Sequence, residues 1–255
     1  MPITQGALPA GFRCEAHTKL ASTNDEAMSR ARAGDPGHLW ITAQEQTAGR
    51  GRLGRKWVSR PGNLFASLLL IDPCPMQAAP KLGFVAGVAL ANALRKFAGA
   101  RVKLKWPNDA VVEGAKLSGL LLEATQVDGH LACVIGIGIN CAHHPDDLPY
   151  AATDLAALGV GASTDEVFIA LAQELALALS RFDEGRGFAT IRQEWLAHAA
   201  GLGDIIRVSG SQMREGRFTG LDEEGRLLLQ TTNGLEVIEA GDVFLGQSAH
   251  NRQDH

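Results

Sequence analysis

The chain has 255 residues, enough for one large domain, alone or with a small second one, and long enough to bury a substantial core. Its 24 basic and 28 acidic side chains leave a net charge of −4, which excludes the overall basic footprint of a dedicated nucleic-acid binder. With one tyrosine and nine phenylalanines, the core must be built mainly from aliphatic residues and alanine.

The first residues, MPITQGALPAGF, have neither the basic and apolar regions of an export signal nor the Arg-rich amphipathic character of an import signal. No segment is long and apolar enough to span a bilayer. Thr23 followed by Glu26 fits a capping box, opening a helix through about Ala33 that Gly34 can stop. Residues 39–43 read as a strand that delivers the chain into TAGRGRLGRKW at 47–57. That loop crowds Arg50, Arg52, Arg55 and Lys56 between Gly49, Gly51 and Gly54, beside Trp57. Arginine offers phosphate oxygens a planar, permanently charged fork, and glycine permits backbone approaches that a Cβ forbids, so the composition suits a loop closing on phosphate. A solvated or RNA-binding basic loop is the competing reading of this segment alone.

Residues 64–71 form an apolar run expected to be a strand buried on both faces, and 81–97 have helical spacing with abundant alanine. A short strand at 102–105 should end at Trp106-Pro107-Asn108-Asp109. Residues 110–112, a Glu113-Gly114 turn and 116–124 read as a hairpin, which 130–139 should join. His143 and His144 read as a loop pair. Ser163 with Glu166 forms a second capping box before a helix ending near Phe182, and 188–198 read as another helix. Consecutive strands in the middle favour an α+β fold. Cys14, Cys74, Cys133 and Cys141 lack the paired spacing of a zinc site and read as reduced thiols of a cytoplasmic protein. After 201–204, the runs IIRVSG, REGRFTGLDEEG, RLLLQTTNG and LEVIEAGDVF are punctuated by glycine-containing turns, the pattern of a small all-β module with a polar, frayed tail from Gly246.

Three further segments, KWPND at 105–109, KLSGLLLE at 116–123 and GIGIN at 136–140, accompany Ser22-Thr23-Asn24 and Gln46. Gly136 and Gly138 do not make a dinucleotide fingerprint, because no GxxG continuation and no following helix appear; they allow tight backbone packing instead. In identity and order these segments resemble the biotin protein ligase family over essentially the whole chain. The resemblance implies a mixed central sheet flanked by helices (1–200, catalytic) followed by a small SH3-like β-barrel (201–250). It implies an AMP-forming ligase that makes biotinyl-5′-AMP from biotin and ATP with Mg2+, then passes biotin to a lysine of the biotin carboxyl carrier protein of acetyl-CoA carboxylase. No tightly bound prosthetic group is expected.

Family correspondence puts Lys116 against the biotin carboxylate and α-phosphate, as a catalytic residue with Arg52. Ser22, Thr23, Asn24, Gln46, Arg50, Gly51, Arg52, Lys116 and Gly119 correspond to the biotin side. Arg50, Arg52, Arg55, Trp57, Asn108, Lys116 and Asn140 correspond to the nucleotide side, and Asp109 to the magnesium end, where a hard cation prefers oxygen ligands. Each has a plainer reading: Lys116 as a surface lysine on a hairpin, Ser22 and Thr23 as helix caps, Trp106 as core filling. Leu53 departs from the family, many of whose members carry another arginine there, and so removes one positive charge from the loop. Some relatives carry an N-terminal helix-turn-helix domain. About twenty residues precede Ser22 here, too few for a three-helix reader, so a ligase without operator binding is expected. Relatives often pair edge to edge through the central sheet, which raises a homodimer as a partner. The alternatives are a lipoate or octanoate ligase of related fold, whose loop has a different arginine-glycine pattern, and a nucleic-acid-binding module using the arginine loop with salt-sensitive affinity.

Overall fold

The computed structural model describes residues 8–210 and 212–245. The tail expected from Gly246 lies outside them. The chain opens with β1 (Arg13–Leu20), α1 (Thr23–Arg32), β2 (Leu39–Gln46), β3 (Leu64–Ile71) and α2 (Leu82–Ala98). Next come β4 (Val102–Lys105), β5 (Asp109–Val112), β6 (Ala115–Val127), β7 (His130–Ile139), α3 (Thr164–Phe182) and α4 (Phe188–His198). The strands form one sheet in the order β1-β2-β3-β7-β6-β5-β4, parallel between β1 and β2 and antiparallel elsewhere. A parallel pair needs a crossover, and α1 supplies it.

Period-two alternation divides the sheet's two faces. Leu39 and Ile41 of β2, Leu69 of β3, and Ala132 and Val134 of β7 pack with Ala27 and Ala31 of α1. The intervening Trp40, Leu68, Leu70, Cys133 and Ile135 join the larger core with α2 and α3. Most of α2 is buried, because it lies under α3 and α4 as well as against the sheet. The expected α+β class and most of the element ranges hold. No helix among the described residues is long and apolar enough to cross a membrane.

Three local expectations are corrected. Strand β1 was not anticipated: RCEAHTKL is a mostly half-exposed edge strand whose charged side chains dilute any apolar pattern. The first helix is capped by Ser22, whose hydroxyl accepts from the Asp25 backbone N–H, because the Thr23 hydroxyl is committed to Gln46. The run LEVIEAGDVF is two strands, since the chain turns at residues 239–241.

Those two strands belong to a second sheet of β8 (Ile205–Ser209), β9 (Met213–Leu221), β10 (Leu227–Thr231), β11 (Gly234–Ile238) and β12 (Asp242–Leu245). It is antiparallel throughout in the order β11-β10-β9-β8-β12, consistent with an SH3-like module. Trp106 joins the sheets: its indole N–H donates to the Gly225 carbonyl at 3.1 Å, and Lys81 pairs with Glu224 at 3.1 Å. Gly225 has φ +82 and sits so close to the Phe84 ring that an added Cβ would strike it, so both backbone and contact require glycine.

The second capping box is present as expected: Ser163 accepts from the Glu166 N–H at 3.2 Å, and Glu166 accepts from the Ser163 N–H at 2.9 Å. Ser163→Ala is expected to lower unfolding free energy by about 1 kcal/mol in urea titration, and Ser163→Asp to restore most of it. Equal midpoints for parent and alanine variant would show the box contributes nothing.

Candidate active site

A cavity of about 530 Å³ opens where the start of α1, the 49–57 loop, the ends of β5 to β7, residues 148–150 and β12 converge. Its size is that of a small-molecule site. One wall is a chain of buried and half-buried polar groups. The Thr23 N–H and hydroxyl donate to Gln46 Oε1 at 2.8 and 3.0 Å, and Gln46 Nε2 donates to Ser59 Oγ at 2.9 Å. The fully buried Ser67 hydroxyl lies 2.8 Å from Thr23 Oγ1 and 2.6 Å from Asn24 Oδ1, and Asn24 Nδ2 donates to Glu123 at 2.6 Å. Every member is fixed by a neighbour, so the wall is a preorganised surface for a small polar head.

Glycines open the floor. A Cβ on Gly136 would collide with Asn24 Oδ1, and one on Gly138 would lie 2.5 Å from Trp57 Cε2. A Cβ on Gly119 would lie 3.2 Å from both Trp57 Cζ3 and Lys116 Cε. The GIGIN glycines thus make room for two side chains of the site, and Trp57 lies over the strand backbone with its indole N–H buried and unpartnered.

Six cations line this space, and among the described residues carboxylates of the chain approach all of them but Lys56. Arg50 donates to Asp25 at 2.8 Å and to both oxygens of Glu123 at 2.9 and 3.0 Å. The Asp25 hydrogen bonds, joined by Glu123, hold its guanidinium above the ordinary range against the opposing effect of burial. Arg52 donates to Asn108 Oδ1 at 3.1 Å and lies 3.9 Å from Asp242. Burial pulls Arg52 below its ordinary value while Asp242 opposes, marking a cation short of anionic company. Arg55 grips Asp242 with two bonds of 3.0 Å. Burial pushes the Asp242 carboxyl up, and the Arg55 hydrogen bonds and charge outweigh it, leaving the group below the usual carboxylate range. Lys116 lies 2.7 Å from Asp109, with Lys105 3.5 Å from the same carboxylate. The Lys116 ammonium also lies 5.4 Å from the Trp57 ring and 5.5 Å from Tyr150.

Ser22, Thr23, Asn24, Gln46, Arg50, Gly51, Arg52, Arg55, Trp57, Asn108, Asp109, Lys116 and Gly119 are brought together around the cavity. Asn140 is not: it is buried, and its Nδ2 donates to the Thr153 carbonyl at 3.0 Å, tying the chain beyond β7 to the 151–155 segment. Asn140 is thus committed to a structural bond and lies outside the cavity lining. Sequence reasoning missed Asp25, Ser67, Glu123, Tyr150 and Asp242. Only Glu123 carried a signal, as the last residue of KLSGLLLE. His143 and His144 do lie in a loop, the latter 2.6 Å from Asp154. All four cysteines are free, and burial raises the Cys141 thiol to about 11 and Cys133 to about 12.

For a metal, Asp109 offers an oxygen donor at the cavity: Oδ1 is buried and receives no hydrogen bond, its close neighbour being the Lys116 ammonium. Elsewhere, Glu15, His17 and Glu26 cluster with metal-like spacing, yet Arg30 reaches Glu15 at 2.8 Å and Glu26 at 2.9 Å and already neutralises them.

Residues 20–140 match the Biotin/lipoate A/B protein ligase family, and 202–246 match the Biotin protein ligase C terminal domain. The chain is 42% identical over 237 residues to a Biotin--[acetyl-CoA-carboxylase] ligase of Paracoccus denitrificans, covering 88% of this chain and 97% of that protein. It is 31% identical to the Mycobacterium tuberculosis enzyme of the same description, over 88% of this chain and 86% of that one. The structure of a biotin protein ligase from Aquifex aeolicus in complex with biotin and ATP is similar with a TM-score of 0.76 at 28% identity, covering 91% of this chain and 97% of that one.

Gly138→Ala should cost about 1–3 kcal/mol by overpacking against Trp57. In urea titration, Trp57→Ala added to Gly138→Ala should recover most of that loss, because the obstructing ring is gone. Additive losses would show that the Cβ meets something else.

Proposed function

Because the chain belongs to the biotin/lipoate A/B protein ligase family, we propose that the residues around its cavity divide the work of one two-step acyl transfer. The activity is that of a biotin protein ligase: biotin and ATP give biotinyl-5′-AMP and pyrophosphate, and the biotinyl group then passes to a lysine of a biotin carboxyl carrier protein. The acceptor we assign is the carrier protein of acetyl-CoA carboxylase, by the description of the relatives. The four free thiols support a reducing compartment, the cytoplasm. Two domains, 1–200 for catalysis and 201–250 closing the cavity through β12, fit this division.

The observation that carries the assignment of roles is the convergence of Lys116 and Arg52 on one cavity beside a fixed polar wall. In the first step a carboxylate oxygen of biotin attacks the α-phosphorus and pyrophosphate leaves. Two anions must approach, so cations have to offset repulsion and stabilise charge on the transferring phosphoryl centre. Lys116, held between Trp57 and Tyr150, is placed for the carboxylate and α-phosphate, and leaves Asp109 to meet them. Arg52, partly desolvated and short of anionic partners, suits the phosphates and closes over the adenylate. The wall of Ser22, Thr23, Asn24 and Gln46 suits the ureido head, with Arg50 and Gly51 flanking it and Gly119 giving clearance. Trp57 offers a buried indole N–H and a face beside the nucleotide, with Asn108 and Arg55 at its phosphate end. Asp109 would hold Mg2+, whose other ligands would come from ATP and water and whose charge would neutralise the leaving pyrophosphate. In the second step the lysine amine attacks the acyl carbon, AMP departs and an amide forms.

Pyrophosphate release with ATP and magnesium should require biotin, and lipoate or octanoate should give none; release with either alone would move the chain to the lipoate side of the family. Lys116→Ala should fold and lose adenylate formation by at least a hundredfold, on the order of one lost electrostatic catalytic group. Near-normal turnover would remove Lys116 from the site. Arg52→Gly should shorten the half-life of enzyme-bound adenylate and label bulk lysines. An equal half-life in variant and parent would show that Arg52 does not retain it.

A further inference from the structure

Three apolar side chains stand at the mouth of the cavity, and of these only Tyr150, which flanks Lys116, has entered the chemistry above. Leu53 is 86% exposed, the most exposed large hydrophobic among the described residues, and Phe244 and Tyr150 are 44% and 39% exposed. Two of them neighbour one ion pair along the chain. Arg55 lies two residues after Leu53, and its partner Asp242 lies two residues before Phe244. The phenol of Tyr150 is pushed up first by burial and then by the charge of Asp109, with smaller opposing effects from Arg55 and Asp242. Tyr150 and Phe244 line the cavity, whereas Leu53 stands outside it at the apex of the loop. Leu53 also holds φ 57, ψ 27, the left-handed region that a side chain with a Cβ enters at a cost. A large aliphatic group held in water on a strained backbone, at the lip of a reactive cavity, marks a contact surface.

The reaction itself decides what covers it. In the second step the nucleophile is a lysine of a folded protein, and its side chain is only four methylenes long. For the amine to reach the acyl carbon inside, the acceptor residues on either side of that lysine must rest on the rim. Lys56, next to Arg55 on the same loop, lines the cavity, is exposed and forms no ion pair among the described residues, so the edge of the cavity also offers an uncommitted positive charge.

We propose that Leu53, Tyr150 and Phe244 form an apolar collar that seats the turn of the carrier protein presenting the target lysine, with Lys56 placed to meet an acidic side chain of that partner. The proposal rests on the biotin ligase reading and assigns Leu53 to acceptor recognition, apart from adenylate chemistry. An apolar centre with a polar, charged rim is the usual anatomy of a protein–protein interface.

The test uses the full-length enzyme with Leu53→Ser and Leu53→Met, an apo biotin carboxyl carrier domain as acceptor, and hydroxylamine as a small nucleophile that needs no docking. For Leu53→Ser, biotin-dependent pyrophosphate release and hydroxylamine turnover should stay within about twofold of the parent, while KM for the carrier domain rises about tenfold with kcat retained. Leu53→Met should restore the parental KM. A carrier KM that does not move would overturn the collar, and so would a parallel fall in pyrophosphate release, which would put Leu53 in the adenylate site. A parent enzyme silent in biotin-dependent pyrophosphate release would instead overturn the ligase reading on which the collar depends.

Discussion

The site depends on a balance of charge inside the protein. Arg50, Arg52, Arg55, Lys105 and Lys116 crowd one cavity, and two unit charges 4 Å apart repel by about 4 kcal/mol at the effective dielectric near a protein surface. Carboxylates from four elements supply the opposite sign: Asp25 from α1, Glu123 from β6, Asp109 from β5 and Asp242 from β12. The architecture follows from having to bring these together. The register that sets Asp109 opposite Gly119 brings its carboxylate onto Lys116 of the same hairpin, and β6 also delivers Glu123 to Arg50. The second sheet contributes the carboxylate that the main sheet lacks, and the Trp106–Gly225 bond fixes where it sits.

The same economy governs the uncharged wall. Thr23 and Asn24 are the first two residues of α1, and Ser67 reaches them from β3 in the middle of the sheet. A half-satisfied buried network would be worse than an apolar wall, and here each hydroxyl and amide has a partner. Space for it comes from Gly136, the point on β7 where a Cβ would enter Asn24, and space for the indole from Gly138 two residues on. The alternation of a strand puts both on one face, which is why the spacing G-x-G serves a site with no dinucleotide helix behind it.

Sequence pattern was most informative where physics is local. The Ser163 capping box, the buried apolar run of β3 and the glycine-spaced arginine loop each depend on residues a few positions apart. Ser22 against Thr23 as the cap was not separable, since both hydroxyls can serve and Gln46, twenty-three residues on, decided between them. Strand β1 escaped because an edge strand needs only one good face. The counter-charges escaped for a deeper reason: Arg50 meets Glu123 across 73 residues and Arg55 meets Asp242 across 187, separations at which no spacing rule operates. Asn140 shows the opposite limit. It stands at the end of a motif rich in site residues, yet the chain leaves β7 there and its amide is needed to hold the next segment.

Internal carboxylates that mimic the substrate's charge must still yield to it, and exposure sets how readily they do. Arg55 and Asp242 keep 50% and 39% of their side-chain surface in water, so solvent screens the pair and its net worth is about 0–1 kcal/mol. Lys116 and Asp109 keep 16% and 12%, and a pair so covered by protein is held more firmly. Of the two pairs, the one on the loop is therefore the more readily separated. The loop pair is also proof against ordinary acidity. Because the folded Asp242 carboxyl lies below its unfolded value of about 3.9, its contribution is fully present above that pH and is lost only as pH falls through the lower folded value. Within ordinary pH, then, protonation does not weaken the pair, and its water-exposed side leaves it open to competition from other anions.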